Sequence, residues 1–314
     1  MNLPEGYSAR PAVPEDLDDV AALIDEWDLA YFGDADNPNR AGVQYEWGSP
    51  WVELERDTRL IHAADGALVA YVAHVTPDRA DRDEIGGFVH PSHQGRGVGS
   101  ALVAWEEETS RNKAGQNARV RVWNSTGASD ERGVDLLAAN SYVHIRTSWQ
   151  MRIDLERPID AGPLPEGVTV RRHVPGADDR AAHEVLQEAF ATHFGYFAEP
   201  FEEWWEHQFA DETFDPGLGV VAEVDDRFVG ASVNGVVEGI GWVYELGVRP
   251  EWQRRGIGRA LLRHSFAMFA GKGATQARLG VDSQNESNAY ELYRSVGMRT
   301  VREFRLFEKI LEPD

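Results

Sequence analysis

The sequence contains no cysteine among its 314 residues. This absence excludes disulfide bonds, zinc knuckles, cysteine-ligated iron–sulfur clusters and a cysteine nucleophile. The fold must therefore be stable through packing alone, and hydrophobic residues, at 42% of the chain, are frequent enough to build a core in more than one domain.

Basic residues are scarce relative to acidic ones, with 31 Lys and Arg against 53 Asp and Glu and a formal net charge of −22. Such a surface repels nucleic-acid phosphates and anionic lipids, so we expect neither a nucleic acid nor a membrane as a partner. Long apolar runs are also missing, because no stretch approaches the roughly 18 apolar residues of a spanning helix and residues 1–10 lack the apolar core of a signal peptide. We therefore expect a cytoplasmic protein, either a monomer or a homodimer. The histidines do not fall at metal-binding spacings, and we expect no metal.

The chain contains an internal repeat. At an offset of 159 residues, the segment 89–102 (VHPSHQGRGVGSAL) matches 248–261 (VRPEWQRRGIGRAL) at eight of 14 positions. Each copy follows an extended apolar stretch and precedes an amphipathic one. A proline- and glycine-rich segment separates the two halves. We therefore predict two tandem domains, 1–157 and 168–314, joined by a linker at 158–167.

Each half is predicted to be of the α+β class. Hairpin turns are expected at Asp65–Gly66 and near Asp225–Asp226. In both halves a further strand, a helix, another strand and a last helix follow the hairpin, which indicates mixed connectivity.

The repeated segment of the second half combines a strand with a glycine-rich turn. Residues 242–248 (WVYELGV) alternate as a strand, which predicts Trp242, Tyr244, Leu246 and Val248 on one face and Glu245 on the other. The turn QRRGIGR at 253–259 then opens a helix, where unpaired backbone N–H groups and the helix dipole favour an anion. Its three arginines add positive charge, and the pattern predicts a phosphate-binding loop.

The loop fits neither of two common phosphate-binding motifs. A dinucleotide fingerprint requires a third glycine where the first copy has Ser100, and a P-loop requires a lysine that neither copy has. The pattern Gln-x-x-Gly-x-Gly, between a strand and a helix, instead resembles the pyrophosphate loop of the GCN5-related N-acetyltransferases.

The resemblance implies acetyl-coenzyme A as the co-substrate and, in each domain, a mixed, mostly antiparallel sheet flanked by helices. In the second half, the residues that it assigns to the coenzyme are Leu246, Val248, Gln253, Arg254, Arg255, Gly256, Ile257, Gly258 and Arg259. In the first half, they are Gln94, Arg96, Gly97, Val98, Gly99 and Ser100.

A second stretch, 279–298, resembles the family's next strand, its asparagine-containing turn and its last helix. The resemblance places Asn285 and Asn288 against the coenzyme and gives Tyr293 the role of protonating the departing thiolate. The two-copy arrangement resembles the mycothiol synthase-like two-domain acetyltransferases. In the first half, Leu137 aligns with Tyr293, so we expect a degenerate first domain and a catalytic second one.

The family's chemistry also requires a base for the attacking ammonium and donors for the carbonyl oxygen. Glu245 is the candidate base, with Glu238 in reserve, and backbone N–H groups near 246–248 are the expected donors. The role of Glu245 requires burial that raises its pKa toward 7. Alternatively, Glu245 is a solvated or ion-paired strand residue and Tyr293 is a core residue.

The acceptor is less clear from the sequence. In 193–207, aromatic residues alternate with four glutamates, a pattern that suits a cationic amine but is equally typical of an ordinary amphipathic helix. We predict an acetyl-coenzyme A-dependent N-acetyltransferase that acts on the primary amine of a small molecule by direct attack in a ternary complex. The alternatives are a protein or peptide N-acetyltransferase and a non-catalytic acyl-coenzyme A-binding module.

Overall fold

The computed structural model describes residues 1–35, 37–75, 82–115, 118–155, 161–209, 215–285 and 287–313, with no side-chain description for 207–209. The chain divides into two compact units. Unit 1 contains Met1–Ser148 together with the residues from Arg302 onward, and unit 2 contains Trp149–Val301.

The first half of the chain runs through these helices and strands: β1 (Tyr7–Arg10), α1 (Leu17–Phe32), α2 (Asn39–Gly48), α3 (Leu54–Asp57), β2 (Thr58–Ala63), β3 (Leu68–His74), β4 (Asp83–Val89), α4 (Val98–Ala114), β5 (Val120–Gly127), α5 (Glu131–Ala139) and β6 (Val143–Asp154).

The second half repeats this order with β7 (Thr169–Arg172), α6 (Asp179–Phe190), α7 (Phe201–Phe209), β8 (Val220–Val224), β9 (Arg227–Val237), β10 (Ile240–Val248), α8 (Ile257–Gly271), β11 (Gln276–Asp282), α9 (Ala289–Ser295) and β12 (Arg299–Leu311).

The sheet of unit 1 has the strand order β1-β2-β3-β4-β5-β12. β4 and β5 run parallel, whereas β1–β2, β2–β3, β3–β4 and β5–β12 are antiparallel. One face packs against α4 through Leu102 and Val103, and the other packs against α1 through Leu23 and Ile24. Because neighbouring strand residues such as Leu60 and Ile61 are both fully buried, both faces of this sheet are covered.

The sheet of unit 2 has the order β6-β11-β10-β9-β8-β7, with β10 and β11 parallel. One face packs against α6 and α7, around Leu186 and Trp204. The other face packs against α8, around Leu261 and Phe266. This arrangement is the mixed, mostly antiparallel sheet flanked by helices that the sequence predicts.

The division into units differs from the predicted boundary between 157 and 168. Met151, on the last part of β6, is fully buried in the core of unit 2, so this unit begins before the linker. Phe307 and Leu311, on β12, are buried in the core of unit 1, and β12 pairs with β5 from Phe304 to Leu311. The composition of the linker locates a break between repeats but cannot show which sheet a flanking strand joins. Of the predicted linker, 158–160 lie outside the described residues.

Candidate active site

In unit 2, β10 separates from β11 partway along its length. Parallel pairing joins Ile240–Trp242 to Gln276–Arg278, and within the described chain it extends no further along β10. The backbone N–H of Arg249 donates to Val229 O of β9 at 2.9 Å. Because N–H directions alternate along a strand, the N–H groups of Leu246 and Val248 point away from β9, to the open edge. The predicted backbone donors therefore face the opening.

A β-bulge interrupts β10 at Tyr244. Val243 pairs with Asn234 and Glu245 pairs with Val233, so Tyr244 has no partner of its own in β9. The predicted alternation of faces is therefore wrong for Trp242 and Tyr244, whereas Glu245 lies on the opposite face from Leu246 and Val248 as predicted. Tyr244 and Trp242 stack with their ring centroids 6.5 Å apart on the opposite side from Leu246, because the extra residue reverses the alternation.

The bulge directs Glu245 toward α7. The indole Nε1 of Trp204 donates to Glu245 Oε1 at 3.0 Å. Burial raises the pKa of the Glu245 carboxyl to about 7, the indole hydrogen bond opposes this rise and the charge of Glu199 adds to it. The raised pKa that the catalytic role requires is therefore present, and Glu245 is half-buried rather than an exposed strand residue.

The reserve base does not reach this opening. Glu238 lies in the exposed turn between β9 and β10, with a positive φ of 51°. That turn is at the end of β10 where pairing with β11 is intact.

Tyr293 lies on α9, which packs beside the beginning of α8. A Cβ built on Gly258 would be 3.0 Å from Leu292 Cδ2, and Tyr293 belongs to the buried cluster that contains Val243 and contacts Leu246. Burial raises the pKa of the Tyr293 hydroxyl to about 12, and this hydroxyl has no hydrogen-bond partner among the described residues. The phenol is therefore protonated at neutral pH and its proton is not committed to another protein group.

The turn before α8 presents a row of unpaired backbone donors. The first hydrogen bond of α8 runs from Ala260 N to Gly256 O, and the N–H groups of 254–259 have no acceptor among the described residues. Gly256, at the N-cap, has a φ of 87°, which glycine adopts readily. Gln253 Nε2 donates to Val248 O at 3.1 Å and so ties the turn to the end of β10.

The three arginines of this turn are not equivalent. Arg255 stacks over Trp252, 4.6 Å from the ring centroid, and donates to Glu251 O. Arg254 and Arg259 are exposed and make no ion pair with the described residues. Arg254 also has a φ of 60°, a left-handed conformation that is unfavourable for a residue other than glycine. These two guanidinium groups and the free N–H groups fit a diphosphate.

The asparagine turn precedes α9. Asn285 Oδ1 accepts from Ser287 N at 2.8 Å and therefore shapes the turn itself. Asn288 is the N-cap of α9 with a φ of 60°, and its exposed side chain makes no hydrogen bond within the described ranges. Of the two, Asn288 is the one available to a ligand.

The loop of unit 1 keeps the same backbone geometry, with a φ of 87° at Gly97 and unpaired N–H groups at 95–100 in the described structure. Its Gln94 is engaged differently. Tyr31 Oη donates to Gln94 Oε1 at 2.8 Å, and Gln94 Nε2 donates to Asp130 Oδ2 at 3.2 Å. Arg96 is the exposed cation of this turn, beside Val98, which is buried, Gly99 and Ser100.

Unit 1 has neither of the two candidate catalytic side chains. Leu137 O accepts from Tyr142 N in the same way that Tyr293 O accepts from Met298 N, so Leu137 occupies the position of Tyr293. Gly86 pairs with Ala73 where Glu245 pairs with Val233, and β4 carries no bulge. At the positions of both candidate side chains, Glu245 and Tyr293, unit 1 therefore has residues without a titratable side chain.

The predicted acceptor segment divides between core and surface. Trp204 is 1% exposed and packs against Val185 and Leu186, whereas Trp205 is 43% exposed and its Nε1 donates to Asp179. The contact of Trp204 with Glu245 was not predicted, because it depends on the bulge at Tyr244, for which the sequence has no clear signal.

No cluster of three or more His, Asp or Glu side chains that could hold a metal occurs among the described residues. In the same residues, no helix has the length and apolarity needed to cross a bilayer.

Comparison with known proteins agrees with this geometry. The model of the acetyltransferase (GNAT) family matches the chain twice, at 21–138 and 182–298. A mycothiol acetyltransferase of Streptomyces coelicolor is 30% identical over 303 residues, which cover 93% of this chain and 95% of that protein. A mycothiol acetyltransferase of Streptomyces avermitilis is 34% identical over 256 residues, covering 79% of this chain and 78% of the relative.

Solved structures include two similar chains. A GCN5-related N-acetyltransferase from Sphaerobacter thermophilus superposes with a TM-score of 0.86 at 32% identity, covering 99% of this chain and 98% of the other. A tandem GNAT protein from the clavulanic acid biosynthesis pathway has a TM-score of 0.72 at 13% identity, over 98% of this chain and 99% of the other, and shares the fold.

Proposed function

Because the chain belongs to the acetyltransferase (GNAT) family and is an acetyl-coenzyme A-dependent N-acetyltransferase, we propose that unit 2 acetylates the primary amine of a small molecule and that unit 1 does not catalyse. The names of the relatives, mycothiol acetyltransferases, support a small-molecule acceptor. In this proposal, the amine attacks the thioester directly in a ternary complex.

Glu245 removes the proton that the acceptor ammonium must lose. A base is most effective when its pKa is close to the working pH, and the pKa of Glu245, raised by burial to about 7, meets this condition. Its Oε1 accepts a hydrogen bond from the Trp204 indole, which fixes the carboxylate on the α7 side of β10.

The open edge of β10 stabilises the carbonyl oxygen of the thioester, and Tyr293 protonates the departing thiolate. The N–H groups of Leu246 and Val248 stabilise negative charge that develops on the carbonyl oxygen. Tyr293 donates its phenolic proton to the departing sulfur, which its protonated state at neutral pH allows.

The turn at 253–259 holds the diphosphate of the coenzyme. Arg254 and Arg259 supply charge, the free N–H groups supply hydrogen bonds, and Asn288 supplies a side-chain amide nearby. The thioester of the bound coenzyme is the acetyl donor.

A single observation carries the assignment to unit 2. Glu245 and Tyr293 lie on the two elements, β10 and α9, that meet at the beginning of α8, and both have a raised pKa. At the corresponding positions unit 1 has Gly86 and Leu137, which cannot transfer a proton.

Release of coenzyme A during a screen of amines tests the proposal. Since the chain has no cysteine, a thiol reagent detects the product without a protein background. We expect release with a small primary amine, and we expect kcat/KM to rise as the pH increases through about 7, because the carboxylate of Glu245 is the active form. The variant Glu245→Gln should lack this rise, whereas Glu238→Gln should keep it.

Two results would contradict the proposal. Release of thiol with peptides but with no small amine would support a peptide acetyltransferase. Binding of acetyl-coenzyme A without release of thiol for any class of amine would support a binding module.

A further inference from the structure

The carboxylate of Glu245, on β10, contacts the side chain of Trp204, which lies on α7. Trp204 is the fourth residue of α7, and its backbone N–H donates to Pro200 O at 2.9 Å. Its ring is 1% exposed and packs in the cluster that contains Val185, Leu186 and Val233. An indole fixed by this packing has little freedom to turn its N–H elsewhere.

The same packing directs the indole N–H at one carboxylate oxygen. Trp204 Nε1 is 3.0 Å from Glu245 Oε1, within the usual range of an N–H···O hydrogen bond. Val233, a member of the same buried cluster as the indole, is also the residue that pairs with Glu245 across the sheet. The contact therefore joins α7 to the strand residue immediately after the bulge.

We propose that Trp204 is a positioning residue for the reaction: its indole N–H fixes Oε1 of Glu245 and so holds the carboxylate in the orientation in which it takes up the proton of the acceptor amine. The inference rests on the proposed function of Glu245. It adds that α7 belongs to the catalytic apparatus of unit 2 as well as to its core.

A donor that cannot be deprotonated near neutral pH favours the charged form of the carboxylate. Loss of this donor should therefore raise the pKa of Glu245. Among the described side chains, the titratable groups near this pair include Glu199, whose charge raises the pKa of Glu245, and His183, whose ring centroid lies 5.2 Å from that of Trp204. Both remain in place when the indole is replaced.

The adjacent residue provides a matched control. Trp205 is on the same helix, and its Nε1 also donates to a carboxylate, Asp179 Oδ2, at 3.1 Å. The variants Trp204→Phe and Trp205→Phe therefore each remove one indole and one indole–carboxylate hydrogen bond from α7. Only Trp204→Phe should raise the pKa of Glu245.

The pH profile of kcat/KM gives the first measurement. In Trp204→Phe, we expect the acidic limb to move to higher pH by about one unit, with the rate recovering toward that of the unchanged protein above the limb. Trp205→Phe should keep the original limb. A uniform loss of rate in Trp204→Phe at every pH, with the limb unmoved, would overturn the proposal, because it would indicate a role in packing alone.

The indole resonances in a proton–nitrogen correlation spectrum give a second measurement that does not depend on activity. The resonance that disappears in Trp204→Phe should shift with a midpoint near the pKa of about 7 for Glu245, and this shift should vanish in Glu245→Gln. If Trp204→Phe does not fold, the comparison of Glu245→Gln with the unchanged protein decides. The inference is overturned if every indole resonance that shifts with pH in the unchanged protein shifts in the same way in Glu245→Gln.

The two measurements separate this inference from the proposed function. If an indole titrates with Glu245 but Glu245→Gln keeps full turnover, the hydrogen bond is supported and the proposed base is contradicted. If Glu245→Gln loses the acidic limb while Trp204→Phe keeps it, the base is supported and the positioning role is contradicted.

Discussion

Trp27 and Phe88 of unit 1 pack with their ring centroids 5.2 Å apart, at the place where unit 2 has Ala189 and Gly247. Phe88 pairs with Tyr71 as Gly247 pairs with Ala231, so the two positions correspond. In unit 2, a Cβ built on Gly247 would be 2.8 Å from the Cβ of Ala189, which shows how closely the helix and strand approach there.

The aromatic pair of unit 1 extends into a larger cluster. Trp27 also contacts Tyr31 and Phe32, and a Cβ built on Gly127 would be 2.9 Å from the Trp27 ring. Gly127 is the last residue of β5. For unit 1 to have an opening like that between β10 and β11, β4 would have to separate from β5. The pairing of β4 with β5 extends to Gly86–Ser125, further than the corresponding pairing in unit 2. In unit 1, aromatic side chains of α1 therefore pack beside the end of β5, where β4 and β5 remain paired.

This comparison shows that two copies of one fold can share the geometry of a loop while the side chains around it differ. Both units have a glycine N-cap with a φ of 87° and the same glutamine tied to the end of the preceding strand. The bulge, the proposed base and the proposed acid occur in unit 2 alone among the residues that the structure describes.

The largest expected effect is that of Tyr293→Phe, because the hydroxyl is the proposed acid. We expect turnover to fall by about 100-fold or more, with the affinity for acetyl-coenzyme A nearly unchanged. Steady-state kinetics and calorimetry would measure the two quantities. Tyr142→Phe, which removes a buried hydroxyl without a hydrogen-bond partner from unit 1, is the control and should keep full activity.

Glu106 of unit 1 should make the stability of the protein depend on pH. It is 2% exposed, burial and the charge of Glu107 raise its pKa to about 8, and Asn124 opposes this rise with a hydrogen bond of 2.8 Å. Because the folded-state pKa is raised, the associated stability is present below the ordinary pKa of 4.5 and is lost as the pH rises through about 8.

Glu106→Gln keeps an oxygen for Asn124 and removes the titration. We expect its advantage in unfolding free energy over the unchanged protein to grow with pH by about 1.4 kcal/mol per unit between the two pKa values. Calorimetric scans at several pH values would measure it, and an advantage that does not vary with pH would contradict the assignment. Unit 2 has Ser265 at this position, bonded to Asn234.

The smallest of these effects concerns Arg254, which corresponds to Gly95 of unit 1. Both have a positive φ, 60° and 74°, so Arg254→Gly gives unit 2 the residue that this conformation favours. We expect about a fivefold loss of affinity for acetyl-coenzyme A, a difference that shrinks at high salt, and no loss of stability. Arg96→Gly in unit 1 should leave the KM for acetyl-coenzyme A unchanged, and a larger change there than in Arg254→Gly would contradict the division.

Much of the fold was predictable because local chemistry determines it. The repeated glycine motif indicates two copies of one fold, and the family resemblance that it carries is confirmed. The turn at Asp225–Asp226 is confirmed as a two-residue hairpin, since Val224 pairs with Arg227 and both aspartates have a positive φ. The alignment of Leu137 with Tyr293 agrees with their matching backbone hydrogen bonds.

The remaining features depend on long-range packing. The strands at 149–154 and 302–311 join sheets that the order of the sequence does not indicate, because either sheet could bury their apolar side chains. One extra residue at Tyr244 reverses the strand alternation and places Glu245 beside Trp204. Neither Val243 nor Tyr244 indicates a bulge by its residue type. The pKa of Glu245 follows from that placement.

The central claim is that donor binding for the reaction occurs at α8 and not at α4. Arg259 and Ser100 are exposed and occupy the same position of the two helices, so Arg259→Glu and Ser100→Glu place the same negative charge at each site. The decisive measurement is the rate of thiol release by both variants at a limiting concentration of acetyl-coenzyme A. The claim predicts a loss of at least tenfold in Arg259→Glu, as expected for replacing attraction with repulsion, and an unchanged rate in Ser100→Glu. A loss confined to Ser100→Glu would contradict it.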